Sequence, residues 1–180
     1  MSTKNIKIVD FIWGLFDDVD FFLLEAEKNE TNLQSRQRYL RVSVLCAWAA
    51  FEGWINKTCY DFAITDKSLG ICERAFLLEK RVLLDKGEFA VGNADKYEST
   101  EAKFEFLLRR FGRLKLDKST TQWLRYETAK KLRDSIVHPK RDRTTELEIE
   151  VVKQAVDSMK SYINLMSKKI YDRKPLTLNA

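Results

Sequence analysis

The chain of 180 residues contains a single histidine, His138. It lies in the run Lys130-Lys131-Leu132-Arg133-Asp134-Ser135-Ile136-Val137-His138-Pro139-Lys140-Arg141. Imidazole titrates near neutrality and can both take and give a proton. Arg133 stands five residues earlier. A guanidinium grips a phosphate with two parallel bonds and stabilises the charge that builds on phosphorus in a displacement. Together the two side chains supply the parts for cleavage of RNA by its own 2′-hydroxyl. His138 moves the proton, Arg133 holds the phosphorane, and neither a metal nor another cofactor is needed. Lys130, Lys131, Lys140 and Arg141 flank the pair and would contact phosphates.

Other chemistries lack their residues. Gly53, Gly70, Gly87 and Gly92 are isolated, so no phosphate-cradling glycine loop is present. Glu followed three residues later by His, the metal-binding pattern of helical bundles, does not occur. No glycine-flanked serine elbow supports a hydrolase triad. Cys46, Cys59 and Cys72 are too few and too widely spaced for a disulfide framework or a zinc site, and read as buried reduced thiols.

Charge agrees with an anionic partner. The net charge is +5, yet residues 103–143 hold thirteen Lys or Arg against five Asp or Glu, a surplus of eight. The rest of the chain therefore sums to −3. A basic segment on a near-neutral body points first to nucleic acid. The longest unbroken apolar run, Val44 to Phe51, has eight residues, too short to span a bilayer. No secretory signal is read at the start, where Asp10, Asp17, Asp18 and Asp20 interrupt the apolar residues. A cytoplasmic protein without a membrane partner is expected.

The elements that must position this chemistry read as helices. Only six Gly and two Pro occur, too few for a β-sandwich or barrel. Apolar residues recur at three and four spacings from Asn5 to Glu27, through Phe11, Ile12, Leu15, Phe16, Val19, Leu23 and Ala26. A second stripe runs from Gln34 to Ile64 through Leu40, Val44, Ala47, Phe51, Trp54, Ile55, Cys59 and Phe62. A third helix is expected from Ile71 to Asp85, with Ala75, Leu78, Val82 and Leu83 inward. Residues 86–100 read as a long loop. Ser99 or Thr100 caps a short helix over Glu101 to Phe111. Ser119 with Gln122 fits a capping box for a helix along which Trp123, Leu124, Leu132, Ile136 and Val137 run toward Pro139. Pro139 stops it at about His138. Thr145 with Glu148 opens a last helix, with Val152, Val156, Met159, Ile163, Met166 and Ile170 inward. The sum is one all-α bundle of five or six helices over residues 1–171, with a tail at 172–180. Around an ideal helix Arg133 and His138 lie about 140° apart. Either the stop at Pro139 swings His138 back, or two copies meet so that both pairs line one cleft.

The stretch Leu132-Arg133-Asp134-Ser135-Ile136-Val137-His138-Pro139 resembles the motif of the HEPN superfamily (higher eukaryotes and prokaryotes nucleotide-binding). That motif is Arg, four to six residues, then His, with a polar residue after the Arg. The run Ala49-Ala50-Phe51-Glu52-Gly53-Trp54-Ile55-Asn56 is similar to the family's long helix, with an acidic residue followed by Asn. The resemblance spans about Ser35 to Lys169 and implies an α-helical bundle. It also implies a homodimer with the motif at its interface and metal-independent endoribonuclease activity, as in toxin–antitoxin pairs and phage defence. Arg133 and His138 then take the catalytic roles, Asp134 shapes the site, and Glu52 and Asn56 support it. An antitoxin or defence-system partner follows from the same resemblance. One subgroup carries Tyr two residues past the His, the target of a modifying nucleotidyltransferase. Lys140 stands there, so that antitoxin is not expected. The alternative within the family is a catalytically inactive module that binds RNA or a nucleotide, or acts as a scaffold.

Overall fold

A computed structural model describes residues 8–139 and 146–171. Six helices and one β-hairpin follow in the order α1 (Ile8–Lys28), α2 (Leu33–Thr65), α3 (Ile71–Leu77), β1 (Lys80–Asp85), β2 (Glu88–Asp95), α4 (Thr100–Arg110), α5 (Thr121–Val137) and α6 (Ile149–Tyr171). The chain is thus predominantly helical, as its low Gly and Pro content and its stripes predict.

The chain divides into two compact units. One comprises Met1–Phe51 and Asp117–Ala180, the other Glu52–Leu116. The first holds α1, the N-terminal part of α2, α5 and α6. Its core is the expected stripes: Ile12, Phe16 and Val19 of α1, Leu40, Val44, Ala47 and Phe51 of α2, and Val152, Val156, Met159, Ile163 and Met166 of α6 are all buried. At its centre Tyr126 of α5 stacks on Trp48 (centroids 6.0 Å apart), tilts against Trp123 (4.9 Å) and meets Tyr162 edge-on (5.9 Å). Such ring pairs add to the area that they bury. Phe11, expected inward, is exposed, and so are Leu124 and Val137 of α5. The inward face of α5 is Trp123, Tyr126 and Ala129, one step of three followed by another, which carries Leu124 round to solvent.

The second unit holds the C-terminal part of α2, α3, the hairpin and α4. Here the sequence expectation is corrected. The third helix ends at Leu77 rather than Asp85, and most of the segment read as a loop is the strand β2. Leu78 closes α3, and Glu79 takes a left-handed φ of 53°, which no continuing helix allows. The strands pair antiparallel, with Val82 opposite Val91, Leu83 opposite Ala90 and Leu84 opposite Phe89. Lys86 and Gly87 turn the chain with φ of 50° and 88°, the handedness of a tight hairpin turn. Val82 and Leu83 continue the three-and-four spacing of Ala75 and Leu78, so periodicity alone favoured helix. Both are exposed on the hairpin.

Two helix starts are also settled. Ser99 caps α4 by accepting from Ala102 N. The N-cap of α5 is Thr120, not Ser119: its hydroxyl accepts from Trp123 N (3.2 Å), while Ser119 N and Oγ both donate to Asp117 Oδ1. Thr145, Asn5 and the tail at 172–180 lie outside the described residues.

Candidate functional site

The Arg133–His138 stretch forms the last turn of α5. Arg133 Nη1 donates to Asp134 Oδ1 at 2.9 Å, and its guanidinium lies 5.8 Å from the centre of the Trp48 ring. Trp48 is 7% exposed, so the arginine is braced on a buried aromatic face while 30% of its own side chain stays open. One of five guanidinium donors is used on Asp134, and a cation over an indole is held without consuming the others. Trp48 Nε1 is buried without a hydrogen-bond partner among the described residues. Trp48 belongs to the buried core, and nothing in its spacing marks it as the support for Arg133.

His138 is the C-cap of α5. Its N–H donates to Asp134 O (2.8 Å), and its backbone has left the helix at φ −124° and ψ 64°. The imidazole is exposed. The Asp134 carboxylate takes the Arg133 guanidinium, while its carbonyl accepts the His138 amide in the ordinary backbone bond of a helix end.

Two of the predicted supporting residues, Glu52 and Asn56, are bonded to α4. Glu52 Oε1 accepts from the Thr100 hydroxyl (2.7 Å), and Asn56 Oδ1 accepts from Lys103 Nζ (2.6 Å). Glu52 and Asn56 are one turn apart on α2, and Thr100 and Lys103 are nearly one turn apart on α4, so the two bonds form a ladder between helices. The partner of Glu52 is thus a hydroxyl rather than a Lys or Arg. Lys103 also lies 3.1 Å from Glu79 Oε1, with its side chain 3% exposed. It was counted in the basic segment, yet it is an internal charge. Its place in the buried row Thr100, Lys103, Phe104, Leu107 and Leu108 was the available signal.

Among the predicted phosphate contacts, Lys131 is exposed and Lys130 part-buried, whereas Lys140 and Arg141 lie outside the described residues. Arg110 of the same basic segment is tied to Glu73 (2.9 Å). That bond and the Gly70 N–H hold the Glu73 carboxyl below its ordinary range, the amide being the larger cause. The thiols differ from the uniform burial expected of them: Cys59 is buried, Cys46 partly so and Cys72 exposed. Burial pushes the Cys59 thiol up to about 12.

A cavity of about 460 Å³ is lined by Arg36, Gln37 and residues 146–150, and none of the predicted site residues borders it. Among the described residues no cluster of His, Cys, Asp and Glu is arranged to hold a metal ion, and no helix is long and apolar enough to cross a membrane. Compared with models of known families, with curated proteins and with solved structures, the chain matches none.

Proposed function

We propose that the chain is a metal-independent endoribonuclease of single-stranded RNA, with a HEPN-like Arg133/His138 site. The observation that carries this reading is the end of α5. There an exposed imidazole at the C-cap and a partly open guanidinium bonded to Asp134 stand five residues apart. In the reaction, the 2′-oxygen loses its proton to a neutral imidazole and attacks the adjacent phosphorus. The bond from phosphorus to the 5′-oxygen breaks, and that oxygen takes a proton from an imidazolium or from water. Arg133 neutralises the charge on the non-bridging oxygens as it grows. The products are a 2′,3′-cyclic phosphate and a 5′-hydroxyl. In a homodimer each copy supplies one Arg133 and one His138, so base and acid come from different chains. The setting is a cytoplasmic toxin or phage-defence effector, with an antitoxin or defence-system partner.

One observation favours a second reading. The Asp134 carboxylate already occupies Arg133, which would blunt its pull on a phosphate. This suits an inactive module that binds RNA or a nucleotide, or acts as a scaffold. Incubation of labelled single-stranded RNA in EDTA with the wild type, His138→Ala and Arg133→Ala separates the two. Cleavage by the wild type alone, leaving cyclic phosphate ends, is the expected result. Salt-sensitive binding with intact RNA in all three favours the module.

A further inference from the structure

The hairpin has an edge built to pair with its own copy. Among the described residues β1 and β2 form a sheet of two strands, so the outer edge of β1 has no strand beside it. The turn at Lys86–Gly87 closes on the pair Asp85–Glu88, whose main-chain groups face each other. Alternation along an antiparallel ladder then directs the N–H and C=O of Leu83 toward β2, and those of Val82 and Leu84 outward. An exposed edge of this kind is a template for another strand.

We propose that β1 pairs antiparallel with β1 of a second copy about a two-fold axis at Leu83, giving a four-stranded sheet. The outward groups allow Val82 to bond only a residue that also faces outward. In this register that is Leu84 of the second copy, and each copy repeats the pair. Arg81 then stands opposite Asp85 of the second copy, twice over, on the face that carries Leu83. Both side chains are exposed and neither has an ion-pair partner among the described residues. Moving the axis to Val82 or Leu84 puts Arg81 or Asp85 opposite Leu83 and loses both charge pairs.

Apolar surface follows the same register. Val82, Leu83 and Leu84 are 37%, 43% and 65% exposed. Leu84 would meet Val82 of the second copy, extending the row that Phe89 and Leu84 begin. Gly92 keeps β2 low on the other face: a Cβ there would stand 2.5 Å from Leu83 Cδ2. The edge of β2 offers no equivalent. It carries Glu88 and Asp95 with no basic residue, and its register shifts between the Val82 and Lys80 pairings. Strands and turn together hold three basic and three acidic residues, which disfavours RNA as the occupant of this edge.

Four main-chain bonds and two charge pairs make an interface well below the roughly 1,200 Å² of a stable complex, so the association is weak and rises with concentration. It is independent of the ribonuclease reading and of any dimer formed at Arg133 and His138. Two experiments test it. In full-length chain carrying Cys46→Ser and Cys72→Ser, Leu83→Cys is expected to give a disulfide-linked dimer on mild oxidation, because the paired α-carbons would lie about 4.5 Å apart. Glu88→Cys, on the other strand, is expected to give little. Equal cross-linking at both positions overturns the proposal. Sedimentation of the native-cysteine chain is the second test. Arg81→Asp and Asp85→Arg are each expected to weaken self-association about tenfold, since each turns two attractions into two repulsions. An equimolar mixture of the two variants is expected to regain the wild-type level, because every pair in the mixed dimer is again opposite in sign. Failure of the mixture to recover overturns the proposal.

Discussion

At the scale of single residues, the chain uses burial to give like side chains different work. The three thiols are the simplest case. Cys59 is buried, and burial pushes its thiol up to about 12, with Lys103 pulling it down and Glu79 adding to the rise. Cys46 is raised too, by partial burial and then by Asp18. The thiolate is the form that alkylates, so raising a thiol lowers its rate at a given pH. With iodoacetamide at pH 8 the order of labelling is expected to be Cys72, then Cys46, with Cys59 untouched until the chain unfolds. Peptide mass spectrometry reads the order, and early labelling of Cys59 would mean that its surroundings open in the native state. Lysines divide in the same way. Lys131 faces solvent, whereas Lys103 is enclosed by Asn56 and Glu79. Lys103→Met removes a cation and leaves a carboxylate and an amide oxygen behind. Glu79 is 33% exposed and regains some water, so the expected loss is at the lower end for a broken internal pair. That is about 2–3 kcal/mol in urea unfolding. A loss under about 0.5 kcal/mol would show that desolvating Lys103 already cancels what its bonds contribute.

At the scale of elements, helix ends decide how much could be read in advance. Long stripes were legible because many residues repeat one spacing: Leu40, Val44, Ala47, Phe51, Ile55 and Cys59 of α2 are buried as expected, while Trp54 and Phe62 are only part-buried. Single-residue geometry was not. Whether Ser119 or Thr120 caps α5 depends on where Asp117 points, and its carboxylate takes Ser119. Thr120→Ala is therefore expected to cost about 1 kcal/mol in thermal or urea unfolding, the usual worth of an N-cap hydroxyl. Ser119→Ala is expected to cost clearly less, and the reverse order would return the cap to Ser119. The hairpin was hidden for a related reason. Its turn is Lys86–Gly87 rather than Asn–Gly, and Val82 and Leu83 fit a helix as well as a strand. Of the candidate site, the Arg133 and His138 pair was legible in sequence, as was the helix end at His138. The bracing of Arg133 by Trp48 was not, because residues 48 and 133 are brought together only by packing.

At the scale of the whole molecule, the question is how much of the formal charge is free to meet an anion. Residues 103–143 carry a surplus of eight positive charges, but among the described residues at least three of the bases are already engaged by acids. Lys103 is beside Glu79, Arg110 beside Glu73 and Arg133 beside Asp134. Two of those acids lie outside the segment, so its effective field is smaller than the count suggests. If single-stranded RNA is bound through Arg133 and the four flanking bases, about five phosphates are neutralised. The slope of log affinity against log salt is then expected near −3.5, at roughly −0.7 for each phosphate contact. Lys131→Ala removes one exposed base and is expected to flatten that slope by about 0.7 without altering cleavage per bound complex. Arg133→Ala is expected to flatten it by a similar amount and to abolish cleavage as well, because this base alone meets the reacting phosphorus. Filter binding across 50–200 mM salt, paired with single-turnover cleavage, separates the two effects. A slope near zero in the wild type would place the binding energy outside the phosphates and remove the electrostatic case for RNA. A normal slope with unchanged cleavage in Arg133→Ala would keep RNA as the ligand and strip Arg133 of its catalytic role.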